Sequence, residues 1–74
     1  MFGADWCGDC RRAKEVLVRL NVPFTYDTKD DGRPQAKAIS GRQNIPCVQF
    51  PDGSHMTEPS NAALEQKCHD LKLC

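Results

Sequence analysis

Apolar residues Ala13, Val16, Leu17 and Leu20 recur at i, i+3, i+4 and i+7, which is one face of an α-helix. Arg11, Arg12, Lys14, Glu15 and Arg19 fill the remainder and read as solvated. Asn21-Val22-Pro23 ends the run, because proline cannot continue a helix and disfavours helix at the residue before it. Phe24-Thr25-Tyr26-Asp27 then alternates apolar and polar, as a strand does. Upstream, Met1-Phe2 reads as the tail of a first strand, and Gly3-Ala4-Asp5 as the turn out of it. Thr28 to Arg33 is a polar loop around Asp30-Asp31-Gly32. Pro34 suits a first helical position, so a short helix over 34–40 is predicted, with Ala36 and Ile39 inward and Gly41 as its stop. Ile45 to Phe50 reads as a strand with Pro46 at its edge. The turn Pro51-Asp52-Gly53 leads into an antiparallel partner over 54–57. Pro59 opens a last helix with Leu64, Cys68 and Leu71 on one face.

The predicted order is therefore β-α-β-α-β-β-α. The first two strands, joined through a helix, should be parallel with a right-handed crossover. The last two form a hairpin, and helices cover a four-stranded mixed sheet whose first strand is cut short. At 74 residues the chain has room for one small domain, 1–74, with a modest core. Ten basic residues balance ten acidic ones, so no nucleic-acid footprint is present. No apolar run is long enough to span a membrane, and no secretory leader is visible at Met1. Five cysteines is an odd number, which suits a reducing cytoplasm better than an extracellular disulfide framework.

The chemistry concentrates in Ala4-Asp5-Trp6-Cys7-Gly8-Asp9-Cys10-Arg11-Arg12. A Cys-x-x-Cys between a strand and a helix reads as a redox motif of thioredoxin type. Cys7 falls in the loop before the helix and Cys10 in its first turn, so their sulfurs can close a small ring with little backbone movement. The unpaired N–H groups and positive dipole end of the helix stabilise a thiolate at the first position, which favours attack on disulfides. The competing readings are a structural disulfide and half of a zinc site. Zinc needs further paired ligands, and His55 and His69 stand alone. Asp9 reads first as an acidic residue of the first helical turn, and Arg42 as a solvated loop cation. Cys47 reads first as a small strand residue, with a third thiol beside the pair as the alternative. Cys68 reads as core and Cys74 as incidental.

Trp6-Cys7-Gly8-Asp9-Cys10 resembles the dithiol motif of the glutaredoxins, and Ile45-Pro46 resembles that family's cis-proline strand start. The tail from Ile45 to Ser60 is similar to the mycoredoxin branch, which uses mycothiol in place of glutathione. The resemblance implies a thioredoxin-like α/β fold. It implies Cys7 as nucleophile and Cys10 as resolving thiol, the two forming the redox-active disulfide. It implies that Trp6, Ile45, Pro46, Thr57 and Ser60 line the site for substrate and small thiol, with Ile45 pairing its backbone with substrate and Trp6 shielding the pair. The expected activity is reduction of protein disulfides, or of mixed disulfides between proteins and a low-molecular-weight thiol, by a cytoplasmic monomer. No bound cofactor or metal is expected, and mycothiol or glutathione acts as co-substrate. The Gly-Gly…Asp signature of glutathione-binding members is absent, and Thr57-Glu58-Pro59-Ser60 stands there instead. A redoxin recycled by a flavin reductase, and an iron–sulfur carrier using Cys7 in a dimer, remain alternatives.

Overall fold

The computed structural model describes all 74 residues. Three α-helices, α1 (Gly8–Arg19), α2 (Arg33–Ser40) and α3 (Asn61–Asp70), accompany two strands, β1 (Cys47–Gln49) and β2 (His55–Thr57). A 3-10 turn, Lys29–Gly32, precedes α2. The strands pair antiparallel, with Cys47 opposite Thr57, Val48 opposite Met56 and Gln49 opposite His55. Their turn closes through Gly53 N–H donating to the Phe50 carbonyl at 3.0 Å, and Ser54 N–H donating to Asp52 Oδ1 at 3.0 Å.

The expected four-stranded sheet is replaced by this two-stranded one. The missing strands survive as single bridges. Phe2 pairs in parallel with Asp27 on one side and antiparallel with Cys47 on the other. Phe2 N–H donates to the Cys47 carbonyl at 2.9 Å, and Cys47 N–H returns a bond at 3.0 Å. Asp27 N–H donates to the Met1 carbonyl at 2.9 Å, and the Met1 ammonium donates to the Thr25 carbonyl at 2.7 Å. The parallel Phe2–Asp27 bridge keeps the direction predicted for the first two strands, but Met1, Phe2 and Gly3 offer too few residues for a ladder. The alternating segment from Phe24 to Tyr26 therefore stays irregular.

Helix boundaries follow the apolar faces. Ala13, Val16 and Leu17 of α1 and Leu64 and Cys68 of α3 are buried, and Leu71 is half-buried at the end of α3. Ala36 of α2 is buried and Ile39 half-buried. The last helix starts later than predicted. Pro59 precedes it, and Ser60 is the N-cap, its hydroxyl accepting from Ala63 N–H at 3.1 Å.

Two apolar clusters form, and β1 separates them by its period of two. Val48 joins Val16, Leu17, Phe50, Leu64 and Cys68 on one side. Cys47 joins Ala4, Cys10, Ala36 and Ile45 on the other. A buried side chain such as Leu64, at 0% exposure, contributes about 1.5–3 kcal/mol relative to leaving it in water. The second cluster is the floor beneath the dithiol.

Candidate active site

Cys7 sits at the N-cap of α1 in extended backbone, φ −81° and ψ 118°. Its sulfur accepts from the backbone N–H of Cys10 at 3.4 Å, the bond a serine or aspartate cap would make. Cys7 N–H donates to the Ala4 carbonyl at 3.1 Å, which tightens the turn into the helix. Cys7 is half-buried and Cys10 completely buried, so one thiol meets solvent and the other waits beneath it. Both are free thiols, as are Cys47, Cys68 and Cys74. Burial pushes the Cys10 thiol up to about 12, and the neighbouring Cys7 adds to the rise.

Space for the Cys10 sulfur comes from Gly3. A β-carbon there would stand 2.6 Å from Cys10 Sγ and 3.3 Å from Tyr26 Cε1. The Tyr26 ring therefore borders the same space, packed against the cluster that holds Cys10. Its hydroxyl oxygen is buried and finds no hydrogen-bond partner in the reduced protein. Burial, then Cys10, Asp5 and Cys7, raise the Tyr26 phenol to about 12.

Cys7 opens into a groove of about 300 Å³ lined by Trp6, Cys7, Asp9, Arg33, Gln43, Asn44, Ile45 and Glu58. Trp6 is 61% exposed, so it forms a wall more than a shield, and the Arg33 guanidinium lies 5.8 Å from its ring centroid. The Ile45–Pro46 peptide is cis. Neither N–H nor carbonyl of Ile45 joins a backbone hydrogen bond, whereas the Pro46 carbonyl accepts from Glu58 N–H at 2.8 Å. Asp9 is exposed and pairs with Arg12 at 3.4 Å, which offsets part of its charge.

Of the residues singled out in the sequence, Trp6, Cys7 and Ile45 meet in this groove, with Cys10 and Pro46 buried behind it. Thr57 and Ser60 do not line it. Thr57 pairs with Cys47 across the hairpin, and Ser60 caps α3. Arg42, read as a solvated loop cation, is exposed outside the groove, where its backbone N–H donates to Ser40 Oγ at 3.2 Å. The groove's cation is Arg33, which sequence reasoning passed over as the end of a polar loop. Its position two residues before Gln35, at the start of a short helix, gave no local sign of proximity to Trp6. A second hollow of about 370 Å³ is lined by residues such as Met1, Leu17, Phe24 and Leu73, and includes no thiol. No group of three or more His, Cys, Asp or Glu side chains is gathered anywhere to hold a metal. No helix is long and apolar enough to cross a membrane.

The family model for glutaredoxin matches residues 1–56, which include the dithiol, the cis-proline and β1. The chain belongs to the glutaredoxin family. Two curated proteins of Mycobacterium tuberculosis are similar to it, "Putative glutaredoxin MT3292" of strain CDC 1551 / Oshkosh and "Putative glutaredoxin Rv3198A" of strain ATCC 25618 / H37Rv. Each is 28% identical over 71 residues, covering 90% of this chain and 84% of the relative. No solved structure matches the chain. Glutaredoxin membership implies a thioredoxin-like fold. In this chain Cys7 and Ile45, the residue before the cis Pro46, line one groove with Trp6.

Proposed function

We propose that this glutaredoxin is a small dithiol oxidoreductase that reduces mixed disulfides between proteins and a low-molecular-weight thiol, with mycothiol as its thiol. The observation that carries the reading is the Cys7 sulfur, half-exposed at a helix start and opening into a groove beside unpaired Ile45 backbone.

The Cys7 thiolate attacks the small-thiol sulfur of the mixed disulfide. The old S–S bond breaks, the protein thiolate leaves and takes up a proton, and Cys7 holds the small thiol in a new disulfide. A second small thiol can then attack Cys7's partner sulfur, giving the oxidised small-thiol dimer and free Cys7. Alternatively Cys10 attacks Cys7, giving the internal disulfide and releasing the small thiol. Substrate is held by strand-like bonds to Ile45, and Pro46 presents no N–H to compete with them. No metal or organic cofactor enters these steps.

The groove's charge supports the choice of thiol. Glutathione carries two carboxylates, and Asp9 and Glu58 would oppose them with Arg33 as the single lining cation. A neutral sugar-bearing thiol meets no such repulsion and can stack on Trp6 while its hydroxyls donate to the carboxylates.

The test is turnover of a mycothiol-protein and a glutathione-protein mixed disulfide by the wild type, Cys7→Ser and Cys10→Ser. Cys7→Ser should lose at least about a hundredfold with either substrate, since no other accessible thiol lines the groove. Cys10→Ser should retain demixing, and the mycothiol substrate should turn over faster. Full activity in Cys7→Ser would overturn the roles assigned to the two cysteines, and equal rates with both thiols would overturn the choice of mycothiol.

A further inference from the structure

The Cys7/Cys10 roles leave one buried group beside the dithiol without a task. The Tyr26 oxygen is shut off from solvent and has no hydrogen-bond partner, although burying a hydroxyl unpaired is costly. Its ring edge and the Cys10 sulfur both crowd the space that Gly3 keeps open. Cys10 has a difficulty that a nearby hydroxyl would relieve. To attack the disulfide on Cys7 it must become a thiolate in an apolar pocket, among Ala4, Ala36, Ile45 and Cys47.

We propose that Tyr26 is the positioning residue of the resolving step, its hydroxyl turning to donate a hydrogen bond to the Cys10 sulfur as that sulfur becomes a thiolate. The inference rests on the roles proposed for Cys7 and Cys10. The step balances without an external oxidant or reductant. Cys10 loses its thiol proton and bonds to Cys7, the bond between Cys7 and the small thiol breaks, and the departing thiolate takes up a proton. Tyr26 keeps its own proton throughout. In the resting thiol state the phenol gains little from the weak sulfur acceptor, which accounts for its orphaned oxygen. A thiolate is a far stronger acceptor, so the bond forms when it lowers the barrier. The charged or titratable groups around the pair are Cys7 and Asp5 from the loop and helix start, Lys14 of α1 at 5.6 Å from the Tyr26 ring centroid, and Cys47 of β1.

The experiment follows both thiols in one trace. Dithiobis-nitrobenzoate is added to the reduced protein carrying Cys74→Ser, which removes the exposed competing thiol. Attack by Cys7 releases a first coloured thiolate, and attack by Cys10 on the resulting mixed disulfide releases a second. Cys10→Ser should show the first phase alone. With Tyr26→Phe added, the first phase should be unchanged and the second about tenfold slower, with its pH profile moved to higher pH, the scale of a lost bond to a charged group. The thermal midpoint should stay level or rise, because the lost hydroxyl was unpaired. A second phase that keeps its rate and pH profile, whatever the midpoint does, would mark a hydroxyl with only a packing role and overturns the proposal. Absence of a fast first phase in the Cys74→Ser protein would instead overturn the role of Cys7. Should Tyr26→Phe fail to fold, fluorotyrosine decides the matter, since Tyr26 is the only tyrosine. A more acidic phenol donates more strongly and should speed the second phase at neutral pH. An unchanged rate overturns the proposal.

Discussion

Gly32 carries φ +70° and lies directly on the backbone of Phe2 and Gly3. A β-carbon at this position would collide with the Gly3 amide nitrogen and stand 2.8 Å from the Phe2 carbonyl carbon. Those atoms cannot step aside cheaply, because Phe2 is bridged to both Asp27 and Cys47, and Gly3 N–H donates to the Asp27 carbonyl at 3.1 Å. Two penalties therefore add: left-handed backbone for a side-chain-bearing residue and a backbone clash. Gly32→Ala should cost at least about 2 kcal/mol, read as a lowered urea midpoint with an unchanged slope. It should also slow Cys7, since the displaced segment leads straight into the motif. Gly8→Ala, with nothing within 4 Å of the new carbon, is the matched control and should leave the midpoint level or raise it. The sequence suggested Gly32 as part of a polar turn. It could not show that this turn crosses the first strand, because that contact joins residues 29 apart in the chain.

Two helices end by the same device with different residues. After α1, Asn21 takes φ 57°, Asn21 N–H donates to the Val18 carbonyl and Val22 N–H to the Leu17 carbonyl, both at 3.0 Å. After α3, Lys72 takes φ 57°, Lys72 N–H donates to His69 at 3.0 Å and Leu73 N–H to Cys68 at 2.8 Å. Each is a Schellman ending, in which two orphaned carbonyls are capped by a left-handed residue. Asparagine tolerates that conformation and lysine does so poorly, so Lys72→Gly should stabilise the protein by about 0.5–1 kcal/mol, seen as a higher thermal midpoint. A lowered midpoint would mean that Lys72 makes a contribution its exposed position conceals. These helices were readable because one-sided burial writes a 3.6-residue period into Ala13, Val16 and Leu17 and a four-residue step into Leu64 and Cys68. The strands were less so. Phe24-Thr25-Tyr26 has the alternation of a strand, but pairing needs a partner of matching length, and local pattern carries no information about that partner. The same limit applies to the groove. Cys7 and Cys10 announced themselves by spacing, whereas Arg33, Gln43, Asn44 and Glu58 meet Trp6 only through the fold.

Across the whole molecule, burial acts on three thiols, Cys10, Cys47 and Cys68, and on the Tyr26 phenol in one direction, and this ties stability to pH. Cys10 rises from its ordinary 9.0 to about 12, and Tyr26 from 10.0 to about 12, each chiefly through loss of water. Cys47 and Cys68 are raised from 9.0 by the same cause. The folded protein therefore keeps these protons at pH values where the unfolded chain has released them. Stability from this source is fully present below about pH 9, and it declines as pH climbs from there towards 12, because the unfolded state then binds fewer protons than the folded one. Thermal midpoints of the fully reduced protein should fall steadily above about pH 9. Forming the Cys7–Cys10 disulfide removes the Cys10 proton from the balance, so the oxidised protein should fall less steeply over the same range. Cys10→Ser in the reduced protein should reproduce that shallower slope. Parallel alkaline slopes for all three proteins would show that Cys10 does not hold its proton against the solvent, and the buried partner of the dithiol would then have to be more open to water than its place beneath Cys7 allows.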